Sequence, residues 1–504
     1  MSKQDIRSLY QRFIARLREI ALLSSASGIA EYDMEVFMPP GGADDRSEVA
    51  ALLAGMIHAK QTSAALGRLG EKLLAAVAAG TLVGPEATIV RRAMEDYEYD
   101  RKLPKRLVEE LAKVTGAAHH VWVEARQKAD FALFRPTLEE IVRLKIEEAE
   151  AVGYKTSPYD VLLDQYEPGM TAEMVGAALG PLCDFLKVFV RRLGSGSGPT
   201  GLRISLAAKY QTEISRKLAQ IIGFDLNAGR LDASAHPFTA KLHSGDVRIT
   251  TRYDELDLLS SVYSTIHETG HALYDQALPA AQFGNCAGEA ASYGIHESQS
   301  RLWENLIGRS RRFSELLSEV LTASKEYRLS PPDSDEFYRA LNVVKPSLIR
   351  VEADEVTYNL HVALRFEIER GLIEGRLAVK DLPEIWNAKM REYLGVEVPN
   401  DGAGVLQDVH WSAGLFGYFP SYALGNLYSA QLLEAAEREL PDLWSDVRAG
   451  KFAGLRGWLK DKVWRHGGLL TPVEIVTQAT GLSPSADAFQ RHLERKYSEV
   501  YRLK

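Results

Sequence analysis

The sequence predicts a predominantly α-helical fold with one small β-sheet, and three observations carry that expectation. Apolar residues recur at three- and four-residue spacing through most of the 504 residues. Most prolines stand where such a pattern begins, a first-turn position at which a missing N–H costs nothing. Only one stretch, Asp246 to Tyr253, alternates in the two-residue period of a strand.

Taken in order, Ile6, Leu9, Tyr10, Phe13, Ile14, Leu17, Ile20 and Leu23 set an apolar helical stripe within residues 4–28. The breaker cluster Met38-Pro39-Pro40-Gly41-Gly42-Ala43 ends it, and a second helix is expected over 47–65. Helical patterns follow over 71–79, 85–99 and 104–131, so residues 1–150 read as antiparallel helices. Residues 159–169 read as a polar-aromatic loop leading into a helix at Thr171, and 194–199 as a flexible glycine-serine connector. In the strand, Val247, Ile249, Thr251 and Tyr253 share one face, with Arg248, Thr250 and Arg252 on the other. Its free edge offers a place for an extended peptide to pair. Gly284, Gly288 and Gly294 then mark a loop, helix resumes near His296, and helices are expected over 349–371, 422–438 and 489–497.

A net charge of -8 argues against a general polyanion binder, so no nucleic-acid partner is expected. Two cysteines, Cys183 and Cys286, supply neither a disulfide framework nor a C-x-x-C metal site. No run of about 18 apolar residues suits a membrane span, and the charged N-terminal segment lacks the apolar core of a signal peptide. These features predict a soluble, cytoplasmic protein.

Chemistry concentrates at His267-Glu268-Thr269-Gly270-His271. On a helix, positions i and i+4 share one face, so both imidazoles can reach one metal ion while the intervening glutamate faces the water. That pattern belongs to zinc-dependent hydrolysis of peptide bonds, in which three protein ligands leave one position open. Ala277 occupies the place of a third histidine at the extended spacing, which leaves a carboxylate as third ligand. Glu289, Glu297 and Glu304 are the options, and spacing favours Glu297 only slightly.

His267-Glu268-Thr269-Gly270-His271 followed by His296-Glu297-Ser298-Gln299 resembles the carboxypeptidase Taq family of metallocarboxypeptidases. His236-Pro237-Phe238, the strand segment Asp246 to Thr250, Ile349 to Asp354, and Gly404 to Trp411 agree in type and order, as do Met38–Ala43 and 159–169. The resemblance implies a neurolysin-like helical metallopeptidase, cut by a deep substrate groove, with its small sheet near the metal. It implies a single catalytic unit over 1–504, in which 1–150 cover the groove and 200–430 carry the metal and substrate motifs. It further implies a cytoplasmic homodimer of broad specificity, with one zinc ion per subunit (cobalt or manganese as substitutes). His267, His271 and Glu297 become the ligands and Glu268 the general base.

Around that centre, the oxyanion needs donors, for which His410 and Tyr422 are candidates, with Tyr418 close behind. A free C-terminal carboxylate suits a guanidinium fork. Arg350 is the candidate, on an expected helix with Asp354, Thr357 and His361 along one face. Arg248 on the strand is a lesser one, and His236, held extended before Pro237, is assigned to shaping the cleft. Asp246 and Asp408 are equally candidates for orienting the metal-bound histidines or for capping the strand and a helix, and Asp275 is another candidate for the orienting role. Two other readings stay open: a zinc oligopeptidase or dipeptidyl carboxypeptidase with the same chemistry, and a non-catalytic helical binder. Glu268 argues against the binder, because a structural metal site needs no adjacent base.

Overall fold

The computed structural model describes residues 2–194, 198–323, 327 and 329–503. The expected connector at 194–199 therefore falls, at 195–197, outside the described residues. The N-terminal part consists of α1 (Lys3–Val36), α2 (Ala43–Gln61), α3 (Ala64–Ala78), α4 (Pro85–Lys102), α5 (Lys105–Lys128) and α6 (Phe131–Val152). Then come α7 (Pro158–Asp164), α8 (Ala172–Gly194) and α9 (Ala208–Ile222). A small sheet of β1 (Gly229–Ala233), β2 (Thr239–His243) and β3 (Asp246–Thr251) precedes α10 (Leu258–Ala277) and α11 (Tyr293–Arg301). The C-terminal part holds α12 (Arg311–Thr322), α13 (Ser334–Ala340), α14 (Tyr358–Ile373), α15 (Leu382–Leu394) and α16 (Phe419–Glu439). It ends with α17 (Leu443–Arg448), α18 (Ala453–Lys462), α19 (Pro472–Thr480) and α20 (Asp487–Val500).

The expected helices form with shifted ends. α1 starts early because Ser2 and Asp5 close a capping box, Ser2 Oγ accepting from the Asp5 N–H at 3.1 Å. Part of the segment read as a loop over 159–169 is α7, started by Pro158 in its first turn and by Ser157 Oγ accepting from the Tyr159 N–H. The helix expected over 349–371 begins only at Tyr358, and Arg350–Glu352 is a 3-10 turn. Asp354 is the reason: its carboxylate accepts from the N–H groups of Val356, Thr357 and Lys345, so it starts a turn instead of continuing one. Arg350, Asp354, Thr357 and His361 therefore do not line one helix face.

The sheet also differs from expectation. Its order is β1-β3-β2, with β1 parallel and β2 antiparallel to β3. β3 is central and has no free edge. β2 is an edge, and it begins beside the metal helix, where the Thr239 hydroxyl reaches Glu268.

Three helices bring the site together by unusually close approach. A Cβ on Gly270 of α10 would stand 2.7 Å from Gln299 O and Ser300 Cα of α11. A Cβ on Gly425 of α16 would stand 2.6 Å from Glu297 Cγ. α11 is thus held between two glycine surfaces, and its position along both neighbours is fixed by backbone contact. Most helices share one apolar core, whereas α1, α3 and α4 close a separate one around Phe13, Leu73, Val90 and Met94. No helix among the described residues is long and apolar enough to cross a membrane.

Candidate metal and active site

α10 places His267 and His271 one turn apart, ring centroids 5.0 Å from each other. Glu297 Oε2 lies 3.9 Å from His267 Nε2 and 3.4 Å from His271 Nε2. Among the described residues these three form the one histidine-carboxylate group whose ligand atoms all fall within 4.8 Å. A tetrahedral ion with ligands at about 2.1 Å spaces them by about 3.4 Å, so the set fits a zinc-sized ion with little movement. Burial works against a charged Glu297, but the Arg301 guanidinium and the two imidazoles hold its carboxyl well below the usual range. Burial and the neighbouring His296 push His271 down, toward the neutral ring that ligation requires.

The surroundings orient this set. His267 Nδ1 donates to Glu304 Oε2 at 2.8 Å, which turns Nε2 toward the metal position. Glu304 lies in a π-helical turn, Leu302–Ile307, that continues α11. Despite burial, His267 and Arg301 pull its carboxyl down to about 2. Arg301 Nε donates to Glu297 Oε1 at 2.6 Å and Nη1 reaches Glu304 at 3.3 Å, so one cation serves both acids. His271 stacks on His296 with centroids 4.4 Å apart, and His296 Nε2 pairs with Asp275 Oδ2 at 3.1 Å. Of the three acids expected to orient the ligands, Asp275 bonds His296, Asp246 pairs with Arg248, and Asp408 pairs with Arg350 and Arg365. Glu304 takes that part instead.

Glu268, next to His267 on α10, is buried. The Thr239 hydroxyl donates to its Oε2 at 2.7 Å, leaving Oε1 available as a proton acceptor. His410 Nε2 and the Tyr422 hydroxyl share a 3.3 Å hydrogen bond, and the Tyr418 and Tyr422 rings meet edge-on at 5.2 Å. Burial, helped by the two guanidiniums nearby and opposed by Asp408, pushes His410 down to about 4, so its ring is neutral near pH 7. Burial raises both tyrosines, which keeps their hydroxyls protonated.

Arg350 is buried in its 3-10 turn, at 5% exposure. Its Nε and Nη2 donate to Asp408 Oδ1 at 3.0 and 2.9 Å, and Nη1 donates to the Tyr358 hydroxyl at 2.9 Å. Of the five guanidinium N–H groups, one on each terminal nitrogen is left over. The second Asp408 oxygen takes Arg365 Nε at 2.6 Å. Two guanidiniums thus share one carboxylate, leaving one uncompensated positive charge in a buried place. His361 beside them does not add to it, since burial and Arg365 push its ring down to about 3. The Tyr358 ring also carries Arg301 at 4.3 Å, and the Tyr422 ring carries Arg350 at 4.8 Å, joining the metal ligands to Arg350 through direct contacts.

Two candidates stand elsewhere. Arg248 pairs in a fork with Asp246 and lies over the Tyr32 ring of α1 at 5.1 Å, so it braces the sheet against the N-terminal part. His236 is exposed in the β1–β2 loop, its carbonyl accepting from Ser234 Oγ. Thr250 ties that loop down by accepting from the Phe238 N–H. Sequence reasoning missed the parts of Arg301, Tyr358, Arg365 and Thr239. For Arg301 a signal existed: Glu297, Arg301 and Glu304 follow at i, i+4 and i+7, one helix face.

The chain matches the family model described as carboxypeptidase Taq (M32) metallopeptidase over residues 12–497. It is 40% identical to thermostable carboxypeptidase 1 of Thermus thermophilus, over 98% of this chain and 99% of that protein. It is 37% identical to carboxypeptidase 1 of Bacillus subtilis, over 99% of this chain and all of the relative. The crystal structure of the M32 carboxypeptidase from Deinococcus radiodurans superposes with a TM-score of 0.91 at 37% identity, covering 98% of this chain and 100% of that one. With a His-His-Glu triad, an adjacent glutamate and full-length likeness of this kind, the chain belongs to the carboxypeptidase Taq (M32) family of metallopeptidases.

Proposed function

We propose that this metallocarboxypeptidase removes single residues from the free C-terminus of peptides, with broad specificity and one zinc ion held by His267, His271 and Glu297. Cobalt or manganese would fit the same donors. When bound, the ion supplies an acidified water and polarises the scissile carbonyl. Glu268 Oε1 would accept a proton from the attacking water and pass it to the departing amine. The neutral His410 ring and the Tyr422 hydroxyl, with Tyr418 against them, donate to the oxygen of the carbonyl as it gains charge. The two remaining N–H groups of Arg350 grip the terminal carboxylate, whose charge balances the excess guanidinium beside Asp408. Arg248, forked onto Asp246 and laid over Tyr32, is assigned to bracing the sheet, and His236 to shaping the cleft. The N-terminal helices within 1–150 cover the groove, 200–430 carry its chemistry, and the whole works as one catalytic unit. The family resemblance supports a homodimer in the cytoplasm.

The observation that carries this reading is the half-used guanidinium of Arg350, because it gives a terminal carboxylate a matched partner connected to the metal ligands. A zinc oligopeptidase or dipeptidyl carboxypeptidase remains the competing function on the same metal chemistry. Zinc-loaded protein and its Glu268→Gln variant are incubated with a peptide and its C-terminally amidated form, and the products are weighed. Trimming one residue at a time from the free acid alone, with a loss of at least about 10³-fold in the variant, is the expected outcome. Dipeptide release or internal cuts would hand the assignment to the competitor. Arg350→Ala is expected to weaken hydrolysis of free-acid peptides at least about a hundredfold.

A further inference from the structure

On α14, Glu369 has no exposed surface and, among the described residues, no salt bridge. The two nearest cations of its helix are committed elsewhere, Arg365 to Asp408 and Gln407 and the adjacent Arg370 to Glu374. Its partners are three neutral donors. The Trp411 indole N–H reaches Oε1 at 2.9 Å, while the Tyr159 hydroxyl and the Gly417 N–H reach Oε2 at 2.8 and 3.0 Å. Burial outweighs these bonds and pushes the carboxyl up to about 7. A buried acid without a cation is costly, and an apolar residue would fill the volume without that cost.

What the acid holds lies at the active site. Trp411 directly follows His410, and Gly417 directly precedes Tyr418, so one carboxylate ties both ends of the turn that presents these rings. The turn has little freedom elsewhere. Gly417 has φ +90°, and a Cβ there would lie 2.6 Å from the Leu162 carbonyl carbon of α7. Tyr159 fixes α7 to the same carboxylate. Without Glu369, two buried N–H groups would have no acceptor, and the turn would shift to find others.

We infer that Glu369 is a positioning residue for the reaction, setting the 410–418 turn so that His410 and the Tyr418–Tyr422 pair meet the scissile carbonyl. It rests on the roles proposed above for those rings. Glu369→Gln is a sharp probe, because an amide has one oxygen and one NH2. Its NH2 must face either the Trp411 N–H or the Gly417 N–H, donor against donor.

The experiment measures kcat and KM of zinc-loaded protein on a free-acid peptide, with zinc content and melting temperature, for Glu369→Gln, Trp411→Phe, the double variant and His410→Ala. Glu369→Gln is expected to lower kcat about tenfold or more with KM within about twofold and zinc retained. Trp411→Phe should do the same more weakly, and the double variant should fall short of the product of the two effects. Wild-type kcat in Glu369→Gln, or effects of the two substitutions that simply multiply, would overturn the inference. Should Glu369→Gln fold poorly, Trp411→Phe decides alone: a kcat loss at constant KM supports the inference and a wild-type kcat refutes it. A His410→Ala enzyme with unchanged kcat would instead refute the role of His410, a separate failure that the same data reveal.

Discussion

At His267, the hydrogen bond to Glu304 decides which ring nitrogen is free for metal, and the same acid shares Arg301 with the ligand Glu297. Glu304→Ala removes the acceptor and leaves the Arg301 charge beside the site less balanced. Zinc affinity, read by competition with a chromophoric chelator, is expected to fall about 10- to 100-fold. Glu304→Gln, which keeps an acceptor oxygen, should recover part of it, and an unchanged affinity in the Ala variant would remove Glu304 from the site. The histidine pair of the candidate metal site was legible in sequence because helical spacing dictates which side chains share a face. The spacing even drew Glu297 and Glu304 into one candidate set. It could not say that one acid meets Nε2 of His267 while the other meets Nδ1, since that depends on how α11 crosses α10. The partner of Arg350 was illegible for a similar reason: Asp354, four residues on, was the acid at helical spacing, but the fold brings Asp408 from a distant loop.

At the scale of elements, the site depends on where α11 lies between α10 and α16, and two glycines set that spacing. Gly270→Ala inserts a methyl 2.7 Å from the α11 backbone at Gln299 and Ser300, and backbone cannot yield as a side-chain tip can. We expect a destabilisation of about 1–3 kcal/mol from overpacking, seen in denaturant melts, together with weaker zinc binding as Glu297 is displaced. A variant with wild-type stability and metal affinity would show that the helices separate without consequence. Long amphipathic helices such as α1 and α4 were legible because their apolar spacing is dictated locally. β1 and β2 were not, since each has five residues and little alternation, and their pairing to β3 is a long-range fact. The placing of the peptide-pairing edge on β3 failed with them. Edge and centre are properties of the sheet rather than of any strand within it.

Across the whole molecule, apolar packing is uneven, and that has consequences for how the enzyme opens. α2 has no buried residue, and α1, α3 and α4 close a small core of their own. They reach the sheet and α6 through few polar ties, among them Tyr32 to Asp232 and Tyr99 to Glu148, each 2.5 Å, and through Gly28, where a Cβ would meet Leu242 at 2.8 Å. α10, α11 and α16, by contrast, lie in the large common core and bear mostly buried residues. Stability follows buried contacts locally, so α1–α4 should open in cooperative steps well below global unfolding. Hydrogen exchange followed by mass spectrometry should therefore show α2 exchanging first, α1, α3 and α4 next, and α10, α11 and α16 last. A metal ion held by residues from both α10 and α11 favours the folded site, so adding zinc should slow exchange in those helices by mass action while leaving sub-global opening of α1–α4 unchanged. Equal protection of α3 and α16, or zinc-dependent protection throughout α1–α4, would mean that the N-terminal helices and the metal site form one cooperative unit. In that case α1–α4 could not move without loosening the metal site.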